Sequence, residues 1–577
     1  IVTLNRDAIG RMSCNPAIGG LAKGHLVKEI DVLGGVMGRA ADFATIQNKT
    51  LNKSKGRAVW SPRSQVDKIQ YTRFVQNKIL KNLKITIIED EVIDFKCKNL
   101  KINKVFLKNN NPINCKALII TCGTFMSGLI HIGDKQYKGG RMGEKRSSGL
   151  TESLKAAGFN LGRLKTGTPP RAHKKSINFS QLEVAAGDPN PTPFSMFTKK
   201  PFKPINIPCY LAYTTKKTHQ IINNNIHLSS MFIGKITGAG PRYCPSVEDK
   251  IVRFADKDQH QLFLEPEWEG SNQIYINGFS TSLPEEVQLE ALKTIRGLEK
   301  ITLIRPGYAI EYDYMPSYQL KASLETKKIG GLFCAGQING TSGYEEAAAQ
   351  GLIAGVNAAH YIKKTKPLIL GRSSSYIGVL IDDLITKYID EPYRMFTSRA
   401  ENRLFLRADT APLRLCGVAI KHNMLNTKDK KFFMQYQQDY NDLQQIVNSI
   451  KINYQGKTEA LSSLLKRPEL TINTLNDSRV NEKIKHYAGD LLFSVETAIK
   501  YAGYEKRELE RIEKIKKLEG LKIPQHTNYD IITNLSSESK EKLVAVQPET
   551  LGQASRIAGV RPSDIAVLSI YLTSHTK

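Results

Sequence analysis

Two cysteines stand in surroundings that suit a reactive thiol. Cys14 lies in Met12-Ser-Cys-Asn-Pro-Ala-Ile-Gly-Gly20, a polar, turn-forming stretch expected to leave the sulfur exposed and near backbone N–H groups. Cys244 follows Arg242 closely and precedes Lys250. Cations and N–H donors favour the thiolate, the form that acts as a nucleophile or in proton transfer. An inert thiol is the competing reading at both positions. Cys115, Cys122, Cys334 and Cys416 sit in apolar runs and read as core residues. Eight cysteines without a C-x-x-C pair argue against a disulfide framework and against structural zinc.

Such thiols need a partner chemistry, and residues 331–351 suggest one. Leu332, Phe333 and Cys334 suit a buried strand; Gly336, Gly340 and Gly343 punctuate a loop; Tyr344 to His360 reads as a helix opening on two acids. Free N–H groups at that helix start, with the helix dipole, suit a dinucleotide pyrophosphate or flavin ring oxygens. A tight turn that binds nothing gives the same local pattern. A two-nucleotide-fold flavoprotein opens with a strand and G-x-G-x-x-G, whereas this chain begins Ile1-Val2-Thr3-Leu4-Asn5. Ile1 to Leu4 reads as the tail of the second strand of such a unit, so an N-terminally truncated sequence is expected.

At 577 residues and 41% hydrophobic content the chain has room for several domains. It contains no run of 18 apolar residues and shows no signal peptide, which points to a soluble, cytoplasmic protein. The net charge of +28 favours polyanionic partners, although Lys- and Asn-rich drift also raises it. Strand-like runs at Ile85–Ile88, Val105–Leu107 and Ala117–Thr121 end in Thr121-Cys-Gly-Thr124, a turn suited to crossing beneath a flavin. A Pro- and Lys-rich stretch at 186–208 marks an inserted region, and from about 366 the pattern turns helical. Gln438 to Ile450 and Asp490 to Leu521 have helical spacing, with Leu509, Ile512, Ile515 and Leu518 recurring every three residues. Ala554 to Leu568 reads as helix, Gly559 stop, Pro562 start, helix.

Long ordered motifs extend nearly end to end. They are Met12 to Gly20, Lys23-Gly-His-Leu-Val-Lys-Glu29, Gly162-Arg-Leu-Lys-Thr-Gly-Thr-Pro-Pro-Arg171, Gly240 to Lys250, Arg305-Pro-Gly-Tyr-Ala-Ile-Glu-Tyr-Asp313, Glu391 to Glu401 and Leu551 to Val560. Together they resemble the tRNA uridine 5-carboxymethylaminomethyl modification enzymes, the MnmG or glucose-inhibited division protein A family. Asn402, where that family usually has Tyr, and the absent dinucleotide loop are the departures.

The resemblance implies an α/β fold: an FAD-binding two-dinucleotide-binding-fold (Rossmann-like) domain at 1–171 and 285–365, an inserted NAD-binding domain at 172–284, and an all-α C-terminal domain at 366–577. It implies an enzyme that acts with the GTPase MnmE, as a homodimer within a heterotetramer, on C5 of the wobble uridine, position 34 of certain tRNAs. FAD, NADH and methylenetetrahydrofolate are the implied cofactors, with glycine or ammonium as amine. Val92, Ser147, Gln337, Gly336 and Gly343 are implied flavin contacts. The implied NAD segment is Gly240, Pro241, Arg242, Tyr243, Cys244, Pro245, Ser246, Val247, Glu248, Asp249, Lys250, Ile251, Val252, Arg253 and Phe254. Cys14 and Cys244 match the family's two functional cysteines, with the division of roles between them open.

C5 of uracil is a weak nucleophile unless a group adds at C6, so a thiolate and a proton donor are the expected tools. Arg141, Lys145, Arg146, Lys165, Arg171, Arg394 and Arg399 are candidate phosphate contacts. Two other readings carry different expectations. A folate- and FAD-dependent tRNA uridine methyltransferase would lack the helical region after 366, and a non-catalytic nucleic-acid-binding scaffold would lack flavin.

Overall fold

The computed structural model describes residues 1–577 except 241–244, 388–390, 476, 525–526 and 576–577. Two short parallel pairs form the frame around which the site is built. Val2–Thr3 runs beside Ile88–Glu89, and Leu332–Cys334 runs beside Leu118–Ile120 in the register Leu332↔Leu118. Parallel strands are normally covered on both faces, and Leu332, Phe333 and Cys334 are accordingly buried. The helix Tyr344–Lys363 follows the second pair as the glycine spacing predicts. Lys23–Val32 packs against it, burying Leu26, Val27 and Ile30 in one continuous core. The strand expected at Ile85–Ile88 is confined to Ile88–Glu89, because Ile85 donates its N–H to Asn82 in a turn.

A six-stranded antiparallel sheet lies in the order Glu183–Ala185, Cys209–Tyr213, Gln261–Pro266, Gln273–Asn277, Arg171–His173, Leu303–Arg305. Its own apolar core gathers Ala172, Leu262, Leu264, Ile276, Phe279 and Leu292. The sheet reaches outside 172–284 on both sides, through Arg171 and through Leu303–Arg305. A four-stranded sheet in which Tyr308–Tyr314 pairs with both Leu129–Ile132 and Gly162–Thr168 joins this layer to the parallel frame.

From Tyr376 onward helices dominate, apart from the hairpin Lys451–Tyr454/Lys457–Ala460, which the helical pattern did not announce. The long helix Gly489–Gly520 buries Ile512, yet Leu509 and Leu518 are exposed. A period of three drifts by about 60° per step on a 3.6-residue helix, so this repeat cannot form one buried stripe. Gly559, at φ 93°, ends the turn after Leu551–Ala554 before the helix Pro562–His575 begins. Arg556 ties this end-piece to the helix Tyr376–Thr386 with two bonds of 2.7 Å to Asp382 and reaches Glu519 at 2.6 Å. No helix of the described residues is long and apolar enough to cross a membrane.

Burial pushes the His25 imidazole down to about 4, an effect its contact with the Ala58 carbonyl only softens. Between that value and its ordinary one the unfolded chain binds a proton that the folded chain refuses. Stability is therefore lost as pH falls from about 6.5 toward 4, by up to about 3 kcal/mol. Asp31, raised by burial to about 6, acts oppositely, because the folded chain keeps a proton that the unfolded one releases. Denaturant midpoints between pH 7 and 4.5 should fall less on acidification in His25→Leu than in the parent chain. Parallel curves would remove His25 as the cause.

Candidate functional site

The end of Leu118–Ile120 breaks into Thr121-Cys-Gly-Thr124, which turns beneath the loop following Leu332–Cys334. Gly336 adopts φ 87° and ψ −138°, a conformation essentially confined to glycine. Gln350 holds that loop: its Oε1 accepts from the Gly336 N–H at 3.1 Å and the Asn339 amide at 2.9 Å, while its Nε2 donates to Thr341 at 3.0 Å. A Cβ on Gly123 would lie 3.6 Å from Gln337 Oε1, so turn and loop face each other at van der Waals distance.

The helix start differs from the sequence expectation. Glu345 and Glu346 occupy the first turn of Tyr344–Lys363 with 1% and 0% exposure, and Lys23 contacts them at 3.0 and 3.2 Å. Glu345 accepts the Gly19 N–H at 2.7 Å, and Glu346 accepts the Met395 N–H at 3.0 Å. Burial alone would depress the Lys23 ammonium, but the two carboxylates reverse this and raise it; burial likewise opposes ionisation of Glu346, which Lys23 restores. A pyrophosphate is poorly received where two carboxylates already meet the helix dipole. The uncharged carbonyl groups of a ring system suit this turn better. At Gly343 any Cβ would fall onto the Glu346 carboxylate.

Cys14 is partly buried rather than exposed. Its N–H donates to the Tyr344 hydroxyl at 2.7 Å, and its Sγ lies 3.0 Å from the Tyr275 hydroxyl. Arg171 stacks over the Tyr275 ring at 4.8 Å and donates to the Ser13 and Pro169 carbonyls, each at 2.9 Å. Three distant segments thus fix one thiol.

Cys14, Gln337 and Gly343 line one cavity of about 300 Å³, together with Lys23, Arg141 and Arg394. Val92 and Ser147 line a second, of about 330 Å³, between the two parallel strand pairs. Gly123, Phe125 and Arg141 belong to both walls, so the cavities adjoin. Gly336 lies behind the loop, directed at Gln350.

Cys244, with Pro241, Arg242 and Tyr243, lies outside the described residues. In the rest of that segment, Ser246 and Asp249 form a capping box that starts the helix Val247–Arg253. Val247 and Ile251 enter the insert's core, and Glu248 accepts from Ser229 at 3.1 Å and from the Ser282 N–H at 3.0 Å. Lys250 donates to the Gly278 carbonyl at 2.7 Å, while Val252 and Phe254 are exposed and Arg253 reaches Asp249 at 3.8 Å. Gly240 lies against the Lys165 side chain, and Pro245 precedes the cap. None of these described residues lines either cavity. Glu311 carries the approach to the segment by accepting the Thr237 and Gly238 N–H groups at 2.9 and 2.7 Å. Burial opposes its ionisation, but bonds from His131, Arg163 and Thr237 hold its carboxyl well below the usual range.

Among the candidate phosphate contacts, Arg171 and Lys165 are buried, and the guanidinium of Arg171 is spent on carbonyls. Arg141 pairs with Glu144 at 3.1 Å, Arg399 donates to the Arg394 carbonyl at 2.8 Å, and Lys145 is exposed. Lys23, Tyr275 and Tyr344 were not singled out by sequence reasoning. Lys23 opens a quoted motif and Tyr344 opens the helix, whereas Tyr275 carries no local signal.

Paired parallel strands, a glycine loop entering a helix, an inserted sheet and a helical C-terminal bundle define a nucleotide-cofactor type of α/β protein. The model described as "Glucose inhibited division protein A" matches residues 1–366, and that described as "tRNA modifying enzyme MnmG/GidA C-terminal helical bundle" matches 511–577. The chain belongs to the glucose-inhibited division protein A family. It is 46% identical over 581 residues to the tRNA uridine 5-carboxymethylaminomethyl modification enzyme MnmG of Protochlamydia amoebophila, covering 100% of this chain and 92% of that protein. Identity to the enzyme of the same name from Chlorobium phaeobacteroides is 47%, covering 99% and 95%. The form I crystal structure of Aquifex aeolicus GidA superposes with a TM-score of 0.91 at 46% identity, covering 99% of this chain and 95% of that one.

Replacing Lys23 with Ala would take from two buried carboxylates the ammonium that contacts both, leaving Arg394 to oppose their charge. A loss of about 3 kcal/mol in denaturant stability is expected, and Glu345→Gln in the same background should restore part of it. Unchanged stability in Lys23→Ala would show that Arg394 alone neutralises the pair.

Proposed function

We infer that this chain modifies tRNA by building a 5-carboxymethylaminomethyl-type substituent on uridine, as its relatives' names describe. The observation that carries the chemical reading is the placement of the Cys14 thiol and the Gln337 amide on the walls of one cavity beside the strand ends.

We propose FAD as the resident cofactor across the two adjoining cavities. The fit rests on the donor set: Gln337, Arg141, Ser147 and the turn at Gly123–Thr124 offer polar groups to a flavin ring and ribityl chain, while the open helix start is occupied by carboxylates. Bound there, FAD would supply the redox chemistry of the one-carbon unit, with methylenetetrahydrofolate as donor and NADH as reductant. The proposed division is a cofactor domain at 1–171 and 285–365, an NAD-binding insert at 172–284, and a helical domain at 366–577 that engages tRNA and a GTPase of the MnmE type. A cytoplasmic homodimer completes the reading.

The residues of this chain account for activation of the base. The Cys14 sulfur bonds to C6 of uracil, and the C5=C6 electron pair shifts so that C5 becomes nucleophilic. The thiol proton passes to solvent, and Tyr275, with its hydroxyl 3.0 Å from that sulfur, is placed to donate a hydrogen bond that stabilises the thiolate before attack and after release. After C5 bonds to the one-carbon unit, loss of the C5 proton and cleavage of the S–C6 bond restore the ring. Cys244 is the candidate for the proton-handling group.

Nucleoside mass spectrometry of tRNA incubated with the chain, its GTPase partner and cofactors tests this. Cys14→Ser should lower modification by about 100-fold or more while retaining the flavin spectrum, and Gln337→Ala should weaken flavin retention about tenfold. Normal turnover by Cys14→Ser would remove the thiol from the mechanism. A colourless, full-length parent protein would remove FAD.

A further inference from the structure

A third cavity of about 730 Å³ opens beside the Cys14 cavity and shares Ser13 and Arg141 with it. One wall is the first half of the helix Lys68–Leu80, where Ile69, Thr72, Arg73 and Gln76 follow i, i+3, i+4, i+7 spacing. The opposite wall is the edge of the inserted sheet, with Trp268, Gln273 and Arg305.

Six cations line this cleft, Arg11, Lys68, Arg73, Arg141, Arg171 and Arg305, against the carboxylates of Asp7, Glu144 and Glu267. Two of those carboxylates are already shared. Glu144 meets Arg11 at 2.7 Å and Arg141 at 3.1 Å, and Glu267 meets Lys68 at 2.9 Å and Arg171 at 3.6 Å. Arg73 and Arg305 are exposed and make no ion pair among the described residues. Lys68 is held below its ordinary value by burial, which its pairing with Glu267 opposes and the smaller repulsion from Arg171 and Arg305 assists. Its ammonium lies 4.8 Å from the centre of the Trp268 ring, which is half-buried at the cleft wall. Excess positive charge beside a partly exposed aromatic ring is the combination that holds single-stranded nucleic acid, phosphates on the cations and a base on the ring.

We propose that this cleft binds the unpaired anticodon-loop nucleotides next to the target uridine, with one base stacked on Trp268 and flanking phosphates on Arg73 and Arg305. The proposal rests on the tRNA reading above and adds the path by which the loop reaches Cys14. It assigns the cleft to RNA and not to a dinucleotide cofactor, whose phosphate and base offer similar chemistry.

The chain contains only two tryptophans, and Trp60 stacks on Phe493, away from this cleft. Trp60→Phe therefore leaves Trp268 as the sole indole reporter. Titrating that full-length holoprotein with an anticodon stem–loop containing the wobble uridine should quench its emission saturably, in step with binding followed by anisotropy of a labelled stem–loop. Arg73→Ala/Arg305→Ala should weaken binding about tenfold and flatten the dependence of log Kd on log salt by about 0.7 per arginine. Trp268→Leu should weaken it about tenfold with the salt slope unchanged. Binding without quenching and with an unaltered salt slope would overturn the proposal while leaving tRNA as substrate. Quenching by NADH but not by the stem–loop would make the cleft a cofactor site, again overturning it. Absence of any stem–loop binding would overturn both the proposal and the tRNA reading on which it rests.

Discussion

Two carboxylates with almost no exposure, Glu345 and Glu346, sit at the first turn of the helix Tyr344–Lys363, and the ammonium of Lys23 answers both. Removing charges from water costs several kcal/mol per ion unless each is paired and hydrogen-bonded. Here Glu345 also accepts the N–H of Gly19 and Glu346 the N–H of Met395, so four segments converge on one electrostatic knot. Gly343 has no room for a side chain because that knot lies against it, and Tyr344, next along the chain, fixes the backbone of Cys14. The thiol, the glycine loop and the helix start are thus positioned together.

The helical C-terminal part is joined to this frame by ion pairs of the same kind. Glu29 accepts the N–H groups of Tyr376 and Ile377 at 2.9 and 3.0 Å and meets Arg414 at 3.0 Å, which seats the helix Tyr376–Thr386. Asp382 and Asp383 on that helix hold Arg372, and Asp382 also takes the bidentate bond from Arg556 in the end-piece. Lys327 reinforces the seam by donating to the Tyr318 and Val546 carbonyls at 2.8 and 2.6 Å. Fork-shaped guanidinium bonds carry orientation as well as energy, so they fix how the bundle sits relative to the cavity.

What could be read in advance follows from the range of the interactions. The strand, turn and helix at 332–363 were legible because glycine conformation, apolar runs and helix starts act locally. The spatial setting of Cys14 was not, since its hydroxyl partners are 261 and 330 residues away along the chain. The helix start read as free N–H groups open to a ligand, and nothing local to the two acids shows that Lys23, distant in sequence, holds them buried against it. The helix expected over Asp490 to Leu521 is found at Gly489–Gly520, although its three-residue repeat does not tell which apolar residues are buried, because they share a face only when their period follows the helix. Arg171–His173 and Leu303–Arg305 are three residues each, too short for alternation to signal the sheet edges they form.

Charge needs the same spatial discrimination. A net +28 treats Arg171 and Arg305 alike. Arg171 is 4% exposed, spends its donors on backbone carbonyls and stacks on the ring that meets the Cys14 sulfur, so it orders the site from within. Arg305, paired with it in register across two short strands, is exposed and makes no ion pair among the described residues. Neighbouring strand positions therefore separate two electrostatic tasks: a buried guanidinium that fixes the tyrosine beside the thiol, and an exposed one that leaves positive potential facing solvent. Because alternate residues of a strand face opposite ways while cross-strand partners share a face, the Tyr275, Arg171 and Arg305 row carries both along one line, from the thiol outward to the cleft.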